Sequence, residues 1–211
     1  MILFISFSPA SEGQPEQLKN PKQFLLPEFS TGKVTMRTGN GYEVLLNYNI
    51  VSEKINFIQQ EKILELTNSN TVDSILIKGR KFIPVGKVFY EVLSEKPYSL
   101  FVQHKAKVKQ APKRDSYGIV PETSSASSLN YVMEDVNYYK LADKEVVIYN
   151  VEVYWIKIND SMQSFREISQ LIKIFPGLKD EIKSFIRKGK IKFENNEDIR
   201  KLIAYCITLM K

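Results

Sequence analysis

The chain of 211 residues is 43% hydrophobic and 26% charged, which provides an ordinary core and excludes a disordered composition. The net charge of +6 permits weak attraction to anionic partners without establishing one. A single cysteine, Cys206, excludes an intrachain disulfide and a cysteine-cluster metal site. Since Cys206 stands in an apolar helical pattern, we interpret it as a small core residue.

The first ten residues, MILFISFSPA, form a brief apolar run that ends in small residues. That order is typical of the end of a secretory signal, although the positively charged start of a leader is missing. A first β-strand is the alternative interpretation. No later stretch approaches the ~18 apolar residues of a membrane-spanning helix. We therefore expect a periplasmic or otherwise exported chain without a transmembrane segment in its mature form.

Residues 11–31 are polar, contain three prolines and predict an irregular lead-in. Its apolar residues are expected to lie against a sheet: Phe24, Leu25, Leu26 and Phe29. Residues 32–58 then predict a meander of three strands, with a glycine-rich turn at 39–41. Alternate positions of its second strand are apolar or aromatic: Tyr42, Val44, Leu46 and Tyr48. One apolar sheet face needs a covering layer, so the rest of the chain must supply it.

Turn-forming residues recur about every ten positions after the meander, which favours an antiparallel sandwich or barrel-like sheet. Further strands are predicted at 63–66, 72–77, 88–93, 100–108, 131–141 and 145–158. Residues 109–128 are rich in serine and proline and predict a long mobile loop. The last strand is expected to be the longest and most buried, with one face formed by Val147, Tyr149, Val151, Val153 and Trp155.

The spacing of apolar residues becomes helical after residue 160. A first helix is predicted from Ser161 to an interruption at 176–177, capped by Asp160 or Ser161, and a second over 178–189. Asn195 or Asn196 is expected to cap a third, whose inner face is Ile199, Leu202, Ile203 and Cys206. The sequence therefore predicts an α+β fold: an antiparallel β-rich domain over 32–158 and a three-helix module over 160–211.

Motifs for common catalytic and cofactor sites are absent from the sequence. His104 is the only histidine, and the chain lacks a nucleophile elbow, an H-E-x-x-H zinc motif and the usual phosphate loops. We interpret His104 as a surface or semi-buried residue. The sequence predicts no catalytic residue, no cofactor and no metal site.

Carboxylate-pair hydrolysis needs no local motif, since the fold alone can bring two acids together. Four acidic residues lie on or near predicted strands and could meet in space: Glu91, Glu134, Asp135 and Glu152. Solvated strand faces explain them equally well. A hydrolase acting on glycan or envelope polymer is therefore one alternative function.

Two basic clusters make weak nucleic-acid binding a second alternative, since basic residues beside an aromatic ring suit single strands. The first is the candidate contact surface: Lys105, Lys107, Lys109, Lys113, Arg114 and Tyr117. The second contains Arg187, Lys188, Lys190 and Lys192. No RNA-recognition signature accompanies them, and the C-terminal helices lack a polar base-reading face. Nucleic acid is therefore not the favoured partner.

Both ends of the chain resemble a functionally uncharacterised family of exported Gram-negative bacterial proteins. The residues that carry the likeness are GKV at 32–34 leading through Gly41, LNYN at 46–49, INFI at 55–58, LIKIFP at 171–176, EIK at 181–183 and IKF at 191–193 before Glu197 and Asp198. The resemblance implies export and a β-meander followed by short helices, and it supplies no site residues. Taken together, we expect a non-enzymatic envelope or periplasmic protein that binds an unidentified protein or envelope component, or supports an assembly.

Overall fold

A computed structural model describes residues 22–110, 146–158 and 160–210, and it shows an α+β fold, as the sequence predicted. The strands are β1 Ser30–Met36, β2 Gly41–Asn49, β3 Lys54–Gln59, β4 Lys62–Glu65, β5 Val72–Ile77, β6 Arg80–Val85, β7 Val88–Ser94, β8 Ser99–Gln110, β9 Val146–Ile158 and β10 Ser161–Phe165. The helices are α1 Ile168–Ile174, α2 Lys179–Gly189 and α3 Asn196–Leu209.

All ten described strands form one antiparallel sheet in the order β10-β9-β8-β7-β6-β5-β1-β2-β3-β4. The sheet curls, which brings the Tyr48 hydroxyl of β2 to 3.0 Å from two carbonyl oxygens, those of Phe89 on β7 and His104 on β8. The hydroxyl can donate its one hydrogen to either of them. The Phe89 amide also donates to the Glu53 carbonyl at 3.0 Å. The two halves of the sheet therefore enclose a common inner face.

The inner face is defined by a row of directly opposed residues that crosses seven strands. The row runs Val34, Ile75, Phe82, Glu91, Val102, Tyr154, Phe165. Every member is buried, and Glu91 is the only one that carries a charge. On the β1–β7 side the row enters a hydrophobic core with Leu46, Tyr48 and Ile55, and on the β8–β10 side it enters a second core beneath the helices.

The lead-in packs against the sheet, as the sequence predicted. Leu26 joins the core of Val34 and Leu46, while Phe24 and Phe29 lie on the outer face of β2 beside Leu45. Phe24 and Phe29 are buried against each other with ring centroids 4.9 Å apart. Asn47 is fully buried on this face, where its side chain accepts from the Leu26 amide at 3.1 Å and donates to the Leu26 carbonyl at 2.9 Å. These hydrogen bonds satisfy the side-chain amide of Asn47, which the lead-in buries away from solvent.

The three helices cover the inner face of β8–β10. The predicted stripe of α3 is confirmed, since Ile199, Leu202, Ile203 and Cys206 are all fully buried. The Asn195 side chain caps α3 by accepting from the amides of Glu197 and Asp198. The predicted interruption at 176–177 is also confirmed, with Gly177 in a positive-φ conformation at 90°.

Two sequence predictions are wrong near the end of the sheet. Ser161 does not begin a helix; residues 161–165 form β10 because Asp160 adopts a φ of 62° and turns the chain back on β9. On β9 the deepest residues are Tyr154 and Ile156, whereas Tyr149 on the other face is 47% exposed. The helices cover the even-numbered face, which periodicity alone did not identify.

Parts of several predictions lie outside the described residues: the apolar segment 1–10, the strand at 131–141 and the loop at 109–128 beyond Gln110, where β8 ends. Within the described chain, none of the helices has the length and apolar character needed to cross a bilayer.

Candidate functional site

A band of polar and charged side chains crosses the inner face where the two hydrophobic cores meet. Its members come from four adjacent strands: Arg80 on β6, Glu91 on β7, His104 on β8, and Glu152 on β9. His104 lies directly opposite Glu152 in the β8–β9 register, so the strand pairing itself brings these two together. We call these four residues the charged band.

Arg80 and Glu91 form a bidentate ion pair at one end of the charged band. The Arg80 guanidinium donates from Nε to Glu91 Oε1 at 2.7 Å and from Nη2 to Glu91 Oε2 at 2.6 Å. Glu91 is 5% exposed, so this fork supplies most of what replaces its hydration. Burial would raise the pKa of Glu91, but the bonds from Arg80 and His104 outweigh it and lower that pKa to about 2.

His104 lies between two carboxylates. Its Nε2 is 2.6 Å from Glu91 Oε2, and its Nδ1 is 3.3 Å from Glu152 Oε1 in an ion-pair contact that lacks hydrogen-bond geometry. Burial lowers the pKa of His104, and so does the Arg80 guanidinium, whose Nη2 lies 3.1 Å from His104 Nε2. The contacts with Glu152 and Glu91 outweigh both and raise that pKa above 6.5. A ring nitrogen that faces a carboxylate oxygen is favourable when it carries hydrogen, so this arrangement favours the imidazolium.

Glu152 connects the charged band to Tyr154 and to the helical module. The Tyr154 hydroxyl is 3.0 Å from Glu152 Oε2, 2.9 Å from the Phe193 carbonyl and 3.0 Å from Asn196 Oδ1. Burial would raise the pKa of Glu152, but the His104 contact and then the Tyr154 hydroxyl outweigh it and lower that pKa. Glu152 therefore stays ionised beside the junction of sheet and helices.

A cavity of about 700 Å³ opens above this junction. Its floor is β9, with Asn150, Glu152 and Tyr154. One wall is the segment between β10 and α1, with Arg166 and Glu167. Of the charged band, only Glu152 lines the cavity.

The remaining wall comes from α1 and from the turn before α3. Gln170 lines it from α1, where its side chain accepts from the Arg166 amide at 2.7 Å. Phe193 and Glu194 line it from the turn. Polar groups from separate elements thus converge on a concave site that also contains two aromatic residues, Tyr154 and Phe193. The lining is more polar than that of most small-molecule pockets, so polar and charged groups would dominate recognition there.

Two of the four acids singled out in the sequence are brought together. Glu91 and Glu152 flank the same imidazole, while Glu134 and Asp135 lie outside the described residues. The two flanking acids have different environments, because Glu91 is held in the Arg80 fork and Glu152 is 24% exposed at its side chain.

The candidate contact surface is described only in part. Lys105 is half-buried and lies 3.1 Å from Glu53, and Lys107 is exposed. The backbone of Lys109 continues β8, but its side chain is not among those described. Lys113, Arg114 and Tyr117 lie outside the described residues. The second basic cluster is exposed at the end of α2 and just after it, at Arg187, Lys188, Lys190 and Lys192.

The sequence interpretation of His104 as a surface or semi-buried residue is wrong, since His104 is 1% exposed. The signal that could have found it was its position on the apolar side of the β8 alternation, between Val102 and Ala106. The sequence analysis did not single out Arg80, because nothing local relates it to Glu91.

Among the described residues, no group of three histidine, cysteine or acidic side chains is arranged to hold a metal ion. Comparison with protein-family models, with curated proteins and with solved structures finds no match to this chain.

Proposed function

We propose that this chain is a non-enzymatic binding protein and that the cavity beside β9 takes its ligand. The observation that supports this is the cavity itself, about 700 Å³ and lined from β9, α1 and the turn before α3. A volume in this range suits a small molecule or a few residues of a larger partner. Because three elements supply the lining, folding of the whole chain would form the site before the ligand arrives.

Binding is favoured over hydrolysis by the difference between the two acids that meet at His104. A glycosidase needs both carboxyl groups beside the substrate, one as acid and the other as base or nucleophile. Glu91 is 5% exposed, is held by Arg80 and does not line the cavity. Of these two acids only Glu152 lines the cavity, so the pair that meets at His104 does not place both of its carboxyl groups beside a substrate.

A direct test is to identify what the purified protein carries. The wild-type chain, taken from its native source without a refolding step, should release a small molecule on denaturation that mass spectrometry detects. Asn150→Trp should abolish this release, because the new ring would occupy the cavity from a strand position that tolerates aromatic residues. Tyr149→Trp is the matched control, since it places the same ring on the opposite face of β9.

Equal release from wild type and Asn150→Trp would show that the ligand, if any, binds elsewhere. Steady turnover of an envelope glycan by the wild type, lost in Glu152→Gln, would instead establish hydrolysis.

We also infer that the protein works in the cell envelope. The apolar run of residues 1–10 followed by small residues supports this location. Fractionation of native cells with N-terminal mapping is the test, and a mature start near residue 11 in the periplasm is the expected result. An intact Met1 in the cytosol would contradict it.

A further inference from the structure

We propose that the cavity selects a ligand group with a positive charge, a primary ammonium or a guanidinium, and that Glu152 binds it in competition with His104. This inference rests on the proposed function and specifies the chemistry of its ligand.

The charge of the lining favours a cation. Three acidic residues, Glu152, Glu167 and Glu194, line the cavity, against one basic residue, Arg166. Phe193 adds an aromatic ring to the same wall. A cation gains from an aromatic face as well as from carboxylates, whereas an anion would meet net repulsion.

Glu152 is the carboxylate best placed to bind the cation strongly. It is half-buried on the rigid β9 strand, whereas Glu167 and Glu194 are exposed. Its Oε2 lies 3.0 Å from the Tyr154 hydroxyl, which fixes its orientation. Partial burial reduces the screening that water imposes, so a charge pair at Glu152 is worth more than one at the exposed rim.

Charge balance in the buried part of the molecule is what points to competition. His104, on β8, is faced by Glu152 from β9, by Glu91 from β7 and by Arg80 from β6, and the ring of Tyr48 packs edge-on against it from β2. With His104 charged, the charged band contains two positive and two negative groups. When His104 loses its proton, the charged band has one uncompensated negative charge, and only Glu152 of its two carboxylates reaches the cavity.

A ligand cation at Glu152 would compensate the charge left by His104. Cation binding and protonation of His104 therefore oppose each other, and linkage requires that each weakens the other by the same factor. His104 is the only histidine in the chain, so its ring resonances can be followed by NMR without ambiguity.

The test uses three probes with the same chain length and different charge: pentylammonium, pentanol and pentanoate. Each probe is titrated into the full-length protein while the amide resonances of Asn150, Glu152 and Gln170 are followed. The shifts should report a higher affinity for pentylammonium than for pentanol, and pentanoate should not shift these resonances. The affinity for pentylammonium should rise on the order of tenfold between about pH 6 and about pH 9, as His104 deprotonates. Saturating pentylammonium should lower the pKa of His104.

Two variants separate recognition from general electrostatics. Glu152→Gln should weaken pentylammonium binding at least about tenfold and remove its pH dependence. Glu167→Gln, on the rim, should weaken binding less and keep the pH dependence. Unchanged pentylammonium affinity in Glu152→Gln, or a His104 titration that the probe does not move, would overturn the inference.

Failure of this inference is distinguishable from failure of the proposed function. Pentanol or pentanoate shifting the cavity amides without pentylammonium would sink the cation site and leave a binding cavity in place. The proposed function stands or falls separately, on whether a small molecule is released from the wild type and lost in Asn150→Trp.

Discussion

Glu91 is a buried charge whose position depends on its partners. Arg80 and His104 together replace its hydration, at 2.6–2.7 Å for the closest contacts. A buried ion pair adds little net stability compared with apolar packing, but removal of one partner leaves the other charge buried and uncompensated. The loss of stability should therefore be largest for variants that remove one of these three charged side chains and leave the others in place.

Glu91→Gln should destabilise the fold by about 3–5 kcal/mol, because it leaves Arg80 and the charged His104 without their shared carboxylate. Urea unfolding followed by circular dichroism measures this. Glu95→Gln is the matched control, since the Lys81–Glu95 pair is exposed and its loss should cost less than about 1 kcal/mol. Equal effects from the two variants would contradict the structural role assigned to the charged band.

The charged band also predicts two pH limits of stability. The pKa of Glu91 is lowered from 4.5 to about 2, so its contribution is present above 4.5 and is lost as the pH falls toward about 2. The pKa of His104 is raised, so its contribution is complete below 6.5 and is lost as the pH rises through the raised value. Free energies of unfolding across this range should therefore fall at both ends. In Glu91→Gln the loss below pH 4.5 should be smaller, and an unchanged acid limb would contradict the assignment.

At the scale of elements, α3 is the helix that ties the helical module to the sheet. Its inner stripe fills the second core, and Asn196 in its first turn lies 3.0 Å from the Tyr154 hydroxyl beside the cavity. The position of its first turn therefore matters for the wall of the candidate site. The turn is fixed by Asn195, whose side chain caps two amides.

Asn195→Ala should destabilise the protein by about 1 kcal/mol, because the amides of Glu197 and Asp198 lose their acceptor. Thermal unfolding measures this. Asn68→Ala is the control, since Asn68 precedes a short 3-10 turn without making a side-chain cap bond. A control variant as unstable as Asn195→Ala would show that loss of the cap is not the cause.

At the scale of the whole molecule, two hydrophobic cores lie on one face of one sheet. β8 pairs with β9 along its entire length, and the cross-sheet row passes from one core to the other through Glu91. Because the backbone pairing is continuous between the two cores, we expect them to unfold together, although the charged band separates their side chains.

Cys206 reports on this coupling, because it is fully buried in the second core and burial raises the pKa of its thiol to about 11. Native protein should therefore react slowly with a thiol reagent. Leu202→Ala beside it should raise the labelling rate on the order of a hundredfold, as expected for a large-to-small core change. Ile75→Ala in the other core should raise the rate comparably. Acceleration by Leu202→Ala alone would show that the helices open separately.

Local patterns in the sequence determined much of the fold. Alternation located most strands, glycine located the turn at 39–41, and helical spacing identified the buried stripe of α3. These features depend on residues close together in the chain, whose preferences act before any distant contact forms. The residues Phe24 and Phe29 were likewise placed against the sheet from their apolar character alone.

Only the tertiary structure decided the candidate site. Arg80, Glu91, His104 and Glu152 meet because four strands pair in one register, and a shift of one residue would turn a strand's side chains to the other face. Which face of β9 is buried depended on where the helices lie, and that was not encoded in its own alternation. The sequence by itself thus determined the elements and their apolar faces, while the charged band and the cavity arise from the register between strands distant in the chain.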